Sequence, residues 1–331
     1  MTENILLIRL KSIGDIVFTL PAVHVLRENF PDARLHFLVS REHAPLLGGF
    51  RDINEVIPLD RAALSSGNPI RQVPELFTLL LRLRAEKFSL VADFQGYGET
   101  AWLTRLTGAP RRWGTVYSSG RRWAYTHSLP RNSQLPPAIE HLELLRHGGL
   151  SLGKIRNQYH LPRYALSDAR EFLAAQKLAP DRPILFVQPF TSLPYKNWPV
   201  ENYLAVARHW RSRGVQVILG GGPADRAALE PARREGFAVS AGVPLLVTGG
   251  LMQLSSLVLG GDTGALHLAV AQGRRVLMLL HQDTPDSPVP FQHPDWVMVA
   301  PKPFAITQIA VADVLAAMDR AFNESGSNAS C

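Results

Sequence analysis

Along this chain, short unbroken apolar runs alternate with longer stretches whose apolar positions recur at helical spacing. The first run, NILLIRL (4–10), has the continuous apolar character of a strand buried on both faces of a parallel sheet. A polar turn, KSIGD, follows it. IVFTLPAVHVLRENF (16–30) then carries helical spacing, with Pro21 placed to kink or restart the helix, and RLHFLV (34–39) reads as the next strand. EVIPL (55–59), the helical PELFTLLLRLRAEKF (74–88) and SLVADF (89–94) repeat the alternation. Strand, helix and strand in this order predict a doubly wound α/β lobe.

A second series begins after the proline-flanked segment HLPRYALSDAREFLAAQKLAPDRP (160–183), which marks the connection between lobes. PILFVQPF (183–190), VQVILGGG (215–222), SSLVLGGD (255–262) and RVLMLL (275–280) are expected strands, with VENYLAVARHWRSRG (200–214) among the helices between them. A helix over 306–322 closes the chain, and NESGSNASC (323–331) has the composition of a disordered tail. The predicted organisation is therefore a domain at 1–165, a second at 166–322 ending in a closing helix, and a tail at 323–331. Ligands are expected in a deep cleft between the carboxyl ends of the two sets of strands.

Length agrees with two domains, since 331 residues is about twice an ordinary one. No apolar run approaches the roughly 18 to 20 residues that span a bilayer. MTENILLIRL has an acidic start and no small-residue cleavage site, so no signal peptide is expected and the cytoplasm is the predicted compartment. One cysteine, Cys331, excludes an internal disulfide or a cysteine metal site. The charge is unevenly distributed: residues 1–165 hold 21 Lys and Arg against 14 Asp and Glu, and the remainder holds 14 of each. A basic lobe beside a neutral one suits an anionic partner such as a phosphorylated substrate, a membrane surface or nucleic acid, or is simply a soluble basic surface.

GxGxxG is absent after the first strand and GxxxxGK[ST] is absent throughout, which argues against a dinucleotide enzyme and a P-loop NTPase. HExxH is missing as well, so a zinc-protease reading has no support. No nucleic-acid reader motif is present, and none is expected as a partner. What remains lies at strand ends. Asp262, Thr263 and Gly264 break an apolar run where a strand feeds a helix, and helix amides, a hydroxyl and close backbone approach together suit a phosphate. Asp262 or Thr263 is otherwise an ordinary helix cap, and His267, one turn in, is a ligand or a satisfied core histidine.

Thr191, Ser192 and Lys196 follow another strand, and two hydroxyls with a compact cation fit a diphosphate. Asp225, after the GGGP turn, either accepts from ribose hydroxyls or caps that turn. Three such loops in one lobe point to a nucleoside-diphosphate pocket. In the first lobe Lys11, Ser12, Gly14 and Asp15 follow the first strand, with Asp15 either a cap or a general base facing the cleft. Arg111, Arg112, Arg121 and Arg122, interleaved with Trp113 and Trp123, are either anion-binding or an ordinary basic loop.

These residues together resemble the ADP-heptose:lipopolysaccharide heptosyltransferases of glycosyltransferase family 9. The likeness rests on IRLKSIGDIVFTLPAVHVLRENFPDARLHFLV, on DFQG (93–96), on Lys196-Asn197-Trp198-Pro199, on GGP (221–223), and above all on Asp262-Thr263-Gly264 with His267. It implies a GT-B fold with two Rossmann-like lobes and an inverting transfer from a nucleotide sugar without a metal or other cofactor. By the resemblance, Asp15 is the catalytic base. Thr191, Ser192, Lys196, Asp225, Asp262, Thr263, Gly264 and His267 are donor ligands, and Lys11, Ser12, Gly14, Arg121 and Arg122 meet the acceptor.

The implied partners are ADP-heptose or a related nucleotide sugar, an anionic lipid-linked saccharide and, transiently, the inner leaflet of the cytoplasmic membrane. The sequence departs from the family pattern at Gln188-Pro189-Phe190 and at His281-Gln282-Asp283-Thr284-Pro285, both beside the donor site. The competing classes are a GT-B-like sugar-nucleotide epimerase and a two-lobed small-molecule binder, separated from a transferase by an assay for sugar transfer with release of ADP.

Overall fold

The computed structural model describes residues 3–61, 69–179 and 181–327. It divides at residues 158 and 159 into two compact units. The first contains, in order, β1 (Asn4–Ile8), α1 (Ile13–Val17), α2 (Leu20–Asn29), β2 (Arg34–Ser40), β3 (Glu55–Leu59), α3 (Pro69–Ala85), β4 (Leu90–Asp93), α4 (Gly98–Leu106), β5 (Arg111–Val116), β6 (His127–Pro130) and α5 (Pro137–His147). Its six strands are all parallel, in the order β3-β2-β1-β4-β5-β6. Ile5 to Ile8 have no exposed surface, as a central strand covered by helices on both faces requires. Pro21 sits in the first turn of α2, where its missing N–H costs nothing, so it restarts the helix after α1.

The second unit runs α6 (Arg163–Ala175), β7 (Ile184–Gln188), α7 (Val200–Ser212), β8 (Gln216–Leu219), α8 (Glu230–Arg234), β9 (Ala238–Val239), α9 (Leu245–Gln253), β10 (Leu257–Gly261), α10 (Gly264–Ala271), β11 (Val276–Leu280), β12 (Val297–Val299) and α11 (Val311–Ser327). Its parallel sheet has the order β12-β11-β10-β7-β8-β9, the same winding as the first. The period of two along each strand divides its side chains between two cores. Leu185, Val187, Leu257, Leu259, Leu277 and Leu279 pack on one face, and Ile184, Phe186, Val258, Val276 and Met278 on the other.

The division at 158/159 precedes the 165/166 boundary expected from sequence. Tyr159 explains the difference, because it is buried and its N–H donates to Ala271 O. α11 packs on α7 and continues to Ser327, so residues 323–327 of the expected tail are helical, and 328–331 lie outside the described residues. No helix among the described residues is long and apolar enough to cross a membrane.

In a doubly wound sheet the chain reverses its direction of winding at one place, and the crevice outside the strand ends there receives ligands. That switch point lies between β1 and β4 in the first unit and between β7 and β10 in the second.

Candidate active site

Beyond β1, the buried Arg9 donates from Nη1 to Phe94 O at 2.5 Å, and its Nη2 lies 2.8 Å from Asp15 Oδ2. Ser12 adds two further donors, N–H and Oγ, each 3.1 Å from the same Oδ2. All three donors therefore fall on one oxygen. Among the described residues Oδ1 of Asp15 accepts no hydrogen bond. Burial alone would push this carboxyl up; the Arg9 charge and the bonds from Ser12 outweigh burial and hold it below the usual carboxylate range. Asp15 is thus both cap and ion-pair partner, with one oxygen uncommitted.

The loop after β4 braces this arrangement. Gln95 Oε1 accepts from Leu10 N–H at 3.1 Å. Asp93, fully buried, accepts from Gln95 and Gly96 N–H through Oδ1 and from the Tyr125 hydroxyl, 2.7 Å away, through Oδ2. Beneath lies His141, fully buried, whose Nδ1 is 3.2 Å from Phe18 O. Burial first, and then the Arg9 charge, push its pKa down to about 3, so the ring is neutral and adds no second cation beside Arg9. Sequence reading missed this bracing of Asp15. Its one signal was an arginine near the end of an apolar run.

Of the expected acceptor residues, Lys11, Ser12 and Gly14 share the Asp15 loop, with Lys11 and Ser12 exposed. Arg121 reaches the loop after β4, donating from Nη1 to Gly96 O at 3.0 Å. Arg122 instead lines a surface cavity of about 250 Å³ with Tyr117, Ser118, Ser119, Arg131 and Ser133. Arg111, Arg112 and Trp113 do not form a basic loop, which corrects that expectation. They belong to β5, where Arg111 pairs with Glu3 at 2.8 Å, Arg112 donates to Ala124 O at 2.9 Å, and Trp113 is buried.

At the second switch point Lys196 Nζ lies 2.7 Å from Asp262 Oδ2, and His267 Nε2 is 3.2 Å from Asp262 Oδ1. Burial would raise the Asp262 carboxyl, but His267 and then Lys196 pull it below its usual value. Thr263 is the N-cap of α10, its Oγ1 accepting from Leu266 N–H at 3.3 Å, and Gly264 opens the helix. A hydroxyl that accepts a capping bond keeps its own hydrogen for an incoming oxygen. The Thr191 hydroxyl donates to Leu193 O at 2.9 Å inside its own loop, and Ser192 is exposed. Asp225 accepts from Gly222 N–H at 2.7 Å and so caps its turn. The three loops follow adjacent strands, β10, β7 and β8.

Gly260 and Gly261 have a packing reason that sequence reading did not supply. A Cβ on Gly260 would meet Gln188 O at 2.6 Å, and one on Gly261 would meet Thr191 Cγ2 at 2.7 Å. Their absence of side chains lets the end of β10 approach the end of β7 and the loop that follows it. Two aromatic rings border the cluster: Tyr195 and His281 meet edge to face with centroids 5.3 Å apart. Burial and the Lys196 charge lower the His281 pKa. A further group, His36, Glu55 and Glu86, presents ligand atoms within 4.8 Å of one another. It lies on β2, β3 and the end of α3, away from the switch point, and Glu55 already holds Arg82 at 2.6 Å and Arg34 at 3.2 Å.

The family model of glycosyltransferase family 9 (heptosyltransferase) matches residues 76–303. Lipopolysaccharide heptosyltransferase 3 of Escherichia coli is 25% identical over 279 residues, covering 80% of each chain. A crystal structure of a family 9 glycosyl transferase from Veillonella parvula superposes with a TM-score of 0.86 at 18% identity, covering 97% of both chains. The E. coli heptosyltransferase WaaC with ADP-2-deoxy-2-fluoro heptose superposes with a TM-score of 0.77 at 20% identity, covering 96% of this chain and 99% of that one. The fold is that of these structures.

Proposed function

Because the chain belongs to glycosyltransferase family 9, the heptosyltransferases, and is a glycosyltransferase, we propose that it moves a heptose from ADP-heptose to an anionic, lipid-linked sugar of the lipopolysaccharide inner core. The observation that carries the donor half is the convergence of Lys196, Thr263 and the amino end of α10 at the switch point of the second sheet. The relative bound to an ADP-heptose analogue supports the choice of nucleotide and sugar. Asp225 is assigned to the ribose. Lys11, Ser12, Gly14, Arg121 and Arg122 are assigned to the acceptor, whose carboxylates or phosphates suit a basic unit. The work is placed in the cytoplasm.

In the proposed reaction Asp15 Oδ1 takes the proton of the acceptor hydroxyl as its oxygen attacks the anomeric carbon of the donor. The bond from that carbon to the diphosphate breaks with inversion, and its electron pair leaves on ADP. Charge grows on the diphosphate as that bond lengthens. The Thr263 hydroxyl and the first amides of α10 are fixed by the helix and meet that charge with little reorganisation, and Lys196 joins them on leaving its pair with Asp262. Arg9 fixes the carboxylate by Oδ2 and leaves Oδ1 to react.

Calorimetry with ADP, ADP-heptose, UDP-sugars and GDP-sugars, followed by assay of ADP release with acceptor, tests the reading. Binding of ADP and ADP-heptose with transfer is expected; preference for a uridine or guanosine nucleotide rejects the donor, and turnover to an epimer without ADP release rejects the transferase step. The pH profile is a second expected outcome. Asp15 must be ionised to act, and Arg9 and Ser12 hold its carboxyl below the usual carboxylate range, so the acidic limb of kcat/KM assigned to it is displaced to lower pH than for an ordinary carboxylate. The same depression makes its ionisation stabilising above the unfolded pKa, a contribution lost as pH falls through the folded one. An acidic limb near pH 6 that disappears in Asp15→Asn would contradict the lowered pKa.

A further inference from the structure

His281 is the first residue beyond β11, and its surroundings place it beside the Lys196–Asp262 pair. Gly261 of β10 is in register with Leu279 of β11, so Thr263 and His281 each lie two residues past that match. A Cβ added to Gly261 would stand 3.4 Å from Lys196 O and 4.0 Å from Leu279 O, which brings the turn 194–196 against the ends of both strands. From that turn Tyr195 meets the His281 ring, with centroids 5.3 Å apart and planes at 77°. The two rings make a corner rather than a stack, and Tyr195 keeps 61% of its surface exposed.

The fold does not need this corner. Among the described residues the His281 ring nitrogens have no hydrogen-bond partner. The loop that His281 opens is held without it: Thr284 N–H donates to Ser287 Oγ at 2.7 Å, and the Thr284 hydroxyl donates to Asp286 Oδ1 at 3.0 Å. Burial and then the Lys196 charge lower the His281 pKa against a smaller opposing pull from Asp262, so the ring is neutral at neutral pH. A neutral imidazole donates through one nitrogen and accepts through the other, which matches a hydroxyl, itself both donor and acceptor. The exposed Tyr195 ring beside it supplies an apolar wall.

Strand order decides which part of a ligand arrives there. In the donor reading proposed above, Asp225 after β8 takes the ribose, and the loops after β7 and β10 take the diphosphate. The strands run β8, β7, β10, β11 across the sheet, with neighbours about 4.8 Å apart. A nucleotide sugar laid along their ends in that sense presents its sugar at β11. We propose that Tyr195 and His281 are the residues of the donor site that select the sugar: the tyrosine ring covers a C–H face of the pyranose, and the imidazole hydrogen-bonds one of its hydroxyls. This assignment rests on that donor reading and adds that the sugar is read apart from the nucleotide, by side chains other than those assigned to ribose and diphosphate.

Calorimetry and steady-state kinetics on His281→Ala and Tyr195→Ala, with ADP, ADP-heptose and ADP-glucose, test it. Both variants should bind ADP like the wild type and ADP-heptose about tenfold more weakly, the effect of one lost hydrogen bond or one lost apolar wall. The wild-type preference in kcat/KM between ADP-heptose and ADP-glucose should shrink about tenfold in His281→Ala. His281→Asn, which keeps a donor and an acceptor, should recover part of that preference. Tyr195→Ala should melt like the wild type, since its ring is mostly exposed. Unchanged ADP-heptose affinity and sugar preference in both alanine variants overturn the proposal, as does an equal loss for ADP and ADP-heptose, which would assign the rings to the nucleotide. A wild type that binds neither ADP nor ADP-heptose rejects the donor reading itself, and the sugar assignment falls with it.

Discussion

Asp15→Asn should give a folded protein that binds ADP like the wild type and turns over roughly 10² to 10⁴ times more slowly. Asparagine keeps an oxygen for Ser12 N–H and for Arg9, so the loop after β1 retains its shape. It cannot take a proton through Oδ1. The substitution also removes the negative charge opposite a buried guanidinium, which lowers stability by about 1–3 kcal/mol. Ile57→Val, which thins the core on β3 and lowers stability by about 1 kcal/mol without touching the loop, controls for that loss. Comparable melting shifts with turnover lost only in Asp15→Asn are expected. If Asp15→Asn turns over within a few-fold of the wild type, Asp15 is only a cap and the base lies elsewhere.

Lys196→Ala should weaken ADP binding by roughly 10- to 100-fold, the loss expected for a charge-assisted bond to a diphosphate. Turnover should fall by a further factor on the order of 10² to 10³, because the cation faces charge that is greater in the transition state than in the bound donor. The variant also leaves Asp262 with His267, 3.2 Å away, but without the lysine cation. Adding Asp262→Asn should therefore recover stability without recovering ADP affinity. Calorimetry and melting curves on the single and double variants separate the two effects. Wild-type ADP affinity in Lys196→Ala would remove Lys196 from the donor site.

The parts of the fold legible in sequence were those whose apolar pattern is strong. Central strands such as NILLI and ILFVQ are apolar throughout and stand out. β5 and β6 were not expected as strands, since RRWGTV and HSLP expose polar positions toward the sheet margin and read as loop. β9 and β12, of two and three residues, are too short to show a period.

For the site, Lys196 and Asp262 were named from separate loops and lie in one bonded pair across 66 residues of sequence. The geometry of each loop was legible because strand ends carry their polar residues locally. Arg9 was not, because its roles come from Phe94, 85 residues away, and from the side of Asp15 that it occupies. A residue's partners across a sheet are set by strand order, which local spacing does not encode. The same holds for Gly260 and Gly261. Their close contacts, with Gln188 at the end of β7 and with Thr191 in the loop after it, come from the pairing of β10 with β7.

The bond from Lys196 to Asp262 bears on how the proposed donor site would be inhibited. Its cation already has an internal counter-ion, so an anion entering the site competes with a carboxylate held 2.7 Å away. A doubly charged diphosphate can repay the opening of that pair. An uncharged linker placed between nucleoside and sugar cannot, and would lie against a closed ion pair, bound by its adenosine and sugar ends alone. By this reading a compound aimed at the proposed site gains from an anion that can take the place of the Asp262 carboxylate at Lys196.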